Sequence, residues 1–275
     1  MDIQILIELA TKVLIGFAIG IAIGMTGVGG GAVVQPVLIH VFGIPPVQAV
    51  GTGLVYAMIT RIGGAISHFR LHTVRPRRSF FFLLGSVPGV LVSSCVVNAL
   101  SDSLDVTRVN NVLQLSMALV LMVTVFTLLF QDLFLSEMLE RSRRIYGKGG
   151  PFPLRKKIIS ISAGMVIGIV IGATSIGGGV LIIPVFALFL DASTLETVGS
   201  SIVISLFLSV IGGIVYLLDG NVRLLTAVFL CVGSIPGVIL GSRLSVKVPE
   251  RILRMIVIVI IFLSSISLFF GVSGH

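Results

Sequence analysis

Apolar residues in this chain do not alternate with polar ones at the period of a strand or of a surface helix; they run together. The stretches 115–129, 158–171, 202–218 and 252–270 are apolar around most of their circumference. Once helical they have no face suited to water and must meet lipid or other helices. Two segments, 13–42 and 161–190, are too long for one membrane span of about twenty residues and too short for two spans with a turn. Each carries three successive glycines near its middle. Glycine costs a helix about 1 kcal/mol per position relative to alanine, so the pattern predicts a break there, with two half-helices meeting near the membrane midplane. Three ordinary spans follow each interrupted segment, near 47–69, 78–99 and 109–131 and again near 195–218, 224–244 and 252–271.

Sliding the chain against itself by 148 residues brings these two series into register. Gly24-Met-Thr-Gly-Val-Gly-Gly-Gly31 falls on Gly172-Ala-Thr-Ser-Ile-Gly-Gly-Gly179, and Pro36 falls on Pro184. At the same offset Val50-Gly51-Thr52 meets Val198-Gly199-Ser200, Gly64 meets Gly212, Val74-Arg75 meets Val222-Arg223, and Gly85-Ser-Val-Pro-Gly-Val90 meets Gly233-Ser-Ile-Pro-Gly-Val238. Chance likeness of apolar segments would match leucine to isoleucine, but would not align triple glycines and prolines without an insertion. The expected architecture is an all-α integral membrane protein of two tandem homologous repeats, each a broken or re-entrant helical hairpin plus three transmembrane helices. Residues 1–135 form the first repeat, 136–157 a basic cytoplasmic linker, and 158–275 the second repeat.

Composition agrees with this reading. The 275 residues are 56% hydrophobic and 11% charged, against about 25% charged in a soluble domain, and leave no room for a sizeable water-soluble part. The net charge of +8 does not indicate nucleic acid, because the bases sit mostly in loops between spans and not on one solvated face. They instead set the topology. If the second repeat is inverted relative to the first, fifteen bases lie on the cytoplasmic side and three (Lys12, Arg108 and Arg223) outside; a parallel arrangement splits them thirteen to five. The count favours inversion, in a multi-pass protein of the cell membrane with the bilayer as its surroundings. The N-terminus lacks a basic region and a cleavage motif, so no removable signal peptide is expected. Cys95 and Cys231 lie within apolar segments without CxxC or histidine neighbours, which indicates neither disulfide nor metal.

The pattern Gly-x-x-Gly-x-Gly-Gly-Gly-x-x-x-x-Pro at 24–36, its echo at 172–184 and the paired Gly-Ser-x-Pro-Gly segments resemble the TauE/SafE family of membrane permeases, also called sulfite exporters. The likeness covers nearly the whole chain. It implies transport, with a sulfur-containing anion such as sulfite or an organosulfonate as the first substrate to consider.

A broken membrane helix frees N–H and C=O groups that lipid cannot satisfy, so such backbone lies against protein, water or a ligand. A half-helix starting at a glycine turn would aim N–H groups and its positive dipole end inward, where an anion satisfies both, and glycine lets an oxyanion approach without a Cβ in the way. The candidate substrate-binding residues are therefore Gly29, Gly30, Gly31, Gly177, Gly178 and Gly179. Hydroxyl donors are offered by Thr26, Thr174 and Ser175 beside them and by Thr52, Ser200 and Ser201 at the starts of the following helices. Gly16, Gly20 and Gly24, repeated as Gly164, Gly168 and Gly172, have the small-xxx-small spacing of close helix packing. Arg61 stands within an apolar span, where a charge costs about 2.5–3.5 kcal/mol. Attraction of the substrate anion and snorkelling toward Arg70 stand equal for it; its counterpart at the 148 offset is Ser209.

No Walker lysine follows either glycine run, 25–32 lacks the strand and acidic residue of a dinucleotide site, and no cofactor, metal or catalytic residue is expected. A membrane enzyme would need a nucleophile–base or metal constellation at membrane depth, and none is visible in the sequence. A non-transporting assembly or regulatory membrane protein is the remaining alternative, disfavoured by the paired broken segments. The sequence leaves room for a homo-oligomer.

Overall fold

A computed structural model of the chain describes residues 3–26, 30–103, 105–146, 153–190, 194–245 and 250–271. It consists of helices α1 (Ile3–Thr26), α2 (Gly31–Pro36), continued by a π-helical turn (Val37–Val41), α3 (Pro46–Arg70), α4 (Pro76–Ser103), α5 (Val106–Tyr146), α6 (Leu154–Thr174), α7 (Ile182–Phe189), α8 (Thr194–Leu218), α9 (Leu224–Ser245) and α10 (Glu250–Gly271). Among the described residues, 7 helices are long and apolar enough to cross a membrane: α1, α3, α4, α5, α6, α8 and α9. Side chains such as Leu14, Phe80, Leu119, Phe126 and Phe270 are exposed, the surface a bilayer would cover.

The two interrupted segments differ from expectation in the length of their limbs. The first limb, α1, begins at Ile3 and is a full-length helix of 24 residues. Glu8 and Lys12 lie inside it and neutralise each other in an i,i+4 ion pair of 2.6 Å, ahead of the expected start at residue 13. The returning limbs are short: α2 with its π-helical turn, and α7 with 8 residues. Proline has no N–H to give and crowds the preceding turn. The helix accordingly loosens just past Pro36, where the Phe42 N–H reaches Val37 O at 3.1 Å. Helix α5 runs on to Tyr146, past the expected end of its span.

Glycine stripes fix the packing. A Cβ at Gly16, Gly20 or Gly24 of α1 would overlap the backbone of Leu230, Ser234 or Val238 of α9. Residue numbers rise together on the two helices, so α1 and α9 run in the same direction. On α6, Gly164, Gly168 and Gly172 meet Phe82, Ser86 and Val90 of α4 in the same way, and these pairs are the first set moved by 148 residues with the partners exchanged. Small residues at every fourth position let backbones approach closely, the packing that membrane helices use where the hydrophobic effect gives no help. Helices α3 and α8 pack together between these pairs and contribute buried Val50, Leu54, Ile204 and Leu208 to the core with Phe82, Val90 and Ile171.

Candidate substrate site

The described centre of the site is the turn after α6. Thr174 ends that helix by donating its hydroxyl to Val170 O at 2.7 Å and accepting the Ile176 N–H at 3.2 Å. Ser175 then adopts a left-handed conformation with φ 59, and Gly177 has φ 99. That second angle is one only glycine takes without strain. The chain regains hydrogen bonding when the Leu181 N–H reaches Gly177 O at 3.0 Å and the Ile183 N–H reaches Gly179 O at 3.2 Å. Among the described residues the N–H groups of Gly178 and Gly179 find no acceptor.

Arg61 of α3 lies against this turn. Its Nη1 donates to Ser209 Oγ of α8 at 2.8 Å, and a Cβ on Gly178 would stand 3.0 Å from its Nη2 and 3.0 Å from Ser205 Oγ. The side chain thus turns inward to α8 and the glycine turn. No ion pair among the described residues includes Arg61. A guanidinium carries five N–H donors, and among the described residues one hydrogen bond to a side chain is made.

The first break meets the second. Gly31, at the start of α2, packs on the backbone of Ser175 and Ile176, and Gly30 packs on the ring of Tyr56, 2.9 Å from its Cε1 if a Cβ were present. Tyr56 is itself fixed by donating its hydroxyl to Ser234 Oγ at 2.7 Å. Gly29 and the side chain of Thr26 lie outside the described residues.

The profile of the family described as Sulfite exporter TauE/SafE matches residues 13–268. The chain belongs to the TauE/SafE family. A probable membrane transporter protein of Bacillus subtilis, YjnA, is 32% identical over 257 residues, covering 93% of this chain and 98% of the relative. Another from that organism, YdhB, is 26% identical over 88% of this chain and 92% of its own length, and one from Methanocaldococcus jannaschii, MJ0441, is 24% identical over 92% and 90%. No solved structure matches the chain. A TauE/SafE chain with seven helices, among the described residues, that are long and apolar enough to cross a membrane is a multi-pass membrane transporter.

Within this TauE/SafE chain the hydroxyl candidates separate from one another. Thr52 accepts the backbone N–H of Arg223 at 2.9 Å, and Ser200 accepts that of Arg75 at 3.0 Å. Arg223 lies in the α8–α9 connection and Arg75 in the α3–α4 connection, so each of these two hydroxyls receives a connection from the other half of the chain. Ser201 donates to Val198 O at 2.9 Å. Ser175 remains beside the turn; its Oγ is buried without a partner.

One polar residue that sequence reasoning passed over joins this region. Gln35 of α2 is fully buried, donates its Nε2 to Ala49 O at 3.0 Å, and leaves Oε1 without a donor. Its amide and the Ser175 hydroxyl both crowd Gly53 of α3, two turns of helix before Arg61. The available signal was a single amide between Val34 and Pro36 in an apolar stretch, with Ile183 at the 148 offset.

Proposed function

We propose that this transporter is a secondary carrier or facilitator of a small oxyanion, a sulfur-containing one such as sulfite or an organosulfonate, held near the bilayer midplane between the segments 29–31 and 177–179. The observation that carries the reading is Arg61: a cation within a membrane span, hydrogen-bonded to Ser209, against Gly178 of the glycine turn and with no carboxylate in ion-pair contact among the described residues. An oxyanion would satisfy the guanidinium and the N–H groups of that turn together. Thr174 holds the turn in shape, and Ser175, Gly30 and Gly31 line its other side. The family's description as sulfite exporters supports the choice of a sulfur oxyanion.

The same reading includes two inverted repeats, residues 1–135 and 158–275, around the linker 136–157. Contacts that recur with 148 added and partners exchanged support a two-fold relation, and so does the Arg61–Ser209 bond. A residue on such an axis touches its own counterpart. The direction of the chain supports inversion. Helix α1 runs parallel to α9, which starts at the end of the bundle where Arg223 meets Thr52. Since α3 also starts at that end, α2 must return to the side from which α1 came.

The test is uptake of radiolabelled sulfite, sulfoacetate, phosphate and a neutral control by proteoliposomes holding the wild type or Arg61→Gln. Transport of a sulfur oxyanion, strongly reduced in the variant, is the expected result. No anion uptake above empty liposomes would return the protein to an assembly or regulatory role, and equal uptake by both forms would remove Arg61 from the site.

A further inference from the structure

Helices α4 and α6 lie side by side in the same direction, with Phe82 against Gly164 and Ser86 against Gly168. Their N-termini, both positive dipole ends, therefore come together where the two spans begin, at Pro76 and Leu154. Neither first turn contains an acidic residue. Arg77 and Arg78 stand on α4 and Arg155, Lys156 and Lys157 on α6, so charge of the wrong sign for a helix N-terminus is concentrated there. Arg78 lies within electrostatic reach of Arg75, Glu196 and Lys156.

Among the described residues, several donors in this cluster lack an acceptor. Arg75 gives Nη2 to Glu196 at 2.6 Å, yet among the described residues its Nε is buried without an acceptor, as is Nη1 of Arg78. The Ser79 hydroxyl, in the first turns of α4, is 4% exposed and unpartnered; Ser160, facing α4 from α6, is 0% exposed and also unpartnered. The corresponding contact elsewhere in the molecule provides an internal control. At the 148 offset, α1 and α9 pack by the same glycine contacts, but Ser160 is replaced by Lys12, Arg78 by Thr226 and Ser79 by Ala227. Lys12 is neutralised by Glu8 at 2.6 Å. Packing of this kind thus needs no cluster of unpaired donors.

We infer that the N-termini of α4 and α6 with Arg75, Arg78 and Ser79 form a binding site for a phosphate anion, supplied by the headgroup of an anionic phospholipid. The forked guanidinium of Arg78 and the Ser79 hydroxyl hold phosphate oxygens, Arg75 Nε adds a donor, and the bases of α6 supply the field. The depth fits a headgroup, since both spans start there, and basic crevices between spanning helices are a known setting for such lipids. Arg61 and the glycine turns take no part, so this inference stands or falls apart from the transport reading.

The experiment is thermal unfolding of the purified full-length chain in neutral detergent, titrated with phosphatidylglycerol, with phosphatidylcholine or with inorganic phosphate. Phosphatidylglycerol should raise the Tm saturably while phosphatidylcholine does not. Arg78→Gln and Ser79→Ala should each weaken half-saturation, by tenfold or more for the arginine, whereas Arg243→Gln, an exposed base in the last turn of α9, should leave it unchanged. If Arg78→Gln fails to fold, Ser79→Ala and Arg78→Lys carry the test. Stabilisation by phosphatidylglycerol alone assigns the lipid as source; equal stabilisation by inorganic phosphate assigns a free oxyanion to the same site. No saturable rise with either, or a rise that Arg243→Gln reduces as much as Arg78→Gln, overturns the proposal.

Discussion

Helices α3 and α8 occupy corresponding places at the centre of the bundle, and their differences are more informative than their likeness. Each carries near its start a hydroxyl, Thr52 or Ser200, that accepts the backbone N–H of an arginine in a connection from the other half of the chain. Midway along, the likeness ends. Helix α3 presents Tyr56 and Arg61, where α8 presents Ile204 and Ser209. The shared features hold connections in place, and the unshared ones face the glycine turns. On the proposed reading the twice-used frame holds a single cation at its centre, where two guanidinium groups in mutual contact would repel each other.

The strongest way to break this comparison is to move the charge. Arg61→Ser should lower anion transport roughly 10- to 100-fold, the equivalent of about 1.5–3 kcal/mol for a hydrogen bond to a charged group. Combining it with Ser209→Arg should restore part of the rate, since the two residues touch at 2.8 Å and face the same space. Transport rates in proteoliposomes at matched insertion provide the measurement. A double variant as inactive as the single one would mean that the cation is needed on α3 alone.

A smaller effect separates the two turns. In Gly178→Ala the new methyl would stand 3.0 Å from both Arg61 Nη2 and Ser205 Oγ, while in Gly30→Ala it would meet Tyr56 Cε1 at 2.9 Å. Both variants should lose most of their transport, with the larger loss at Gly178, where the guanidinium itself must shift. Anion-dependent stabilisation, read as a Tm rise on adding sulfite, should fall in the same order. Normal transport and normal stabilisation in both would place the substrate elsewhere.

The smallest expected difference is between Gly20→Ala and Gly168→Ala, which overlap the backbones of Ser234 and Ser86. Each should destabilise by about 1–3 kcal/mol, the usual cost of forcing extra volume into a filled contact. Thermal unfolding should give nearly equal shifts for the pair, and a much larger loss in one of them would mean that the two contacts are not equivalent.

Much of the helical layout was legible in the sequence because uninterrupted apolar runs leave few alternatives, and the glycines at fourth positions announced close contact. Side-chain partners were less legible. Thr52 and Ser200 read as ligand donors because a hydroxyl at the start of a membrane helix suits a substrate and a passing connection equally; only the placement of Arg223 and Arg75 decides what it meets. Ser205 carried no distinguishing mark among the hydroxyls of α8. Gln35 was missed since a lone amide yields no periodicity and has no counterpart at the 148 offset. Arg61 and Ser209 were aligned by number, but alignment does not say that two corresponding residues touch.

The pairing of α1 with α9 also bears on how the protein is made. These partners are separated by roughly 200 residues, an interval that takes about 10–40 s to synthesise at 5–20 residues per second. Through that time the glycine face of α1 has no α9 to meet. The nascent first half must wait in the membrane with this seam unfilled, shielded by lipid or by the insertion machinery, and a ribosome stalled before α9 would leave a product that cannot close.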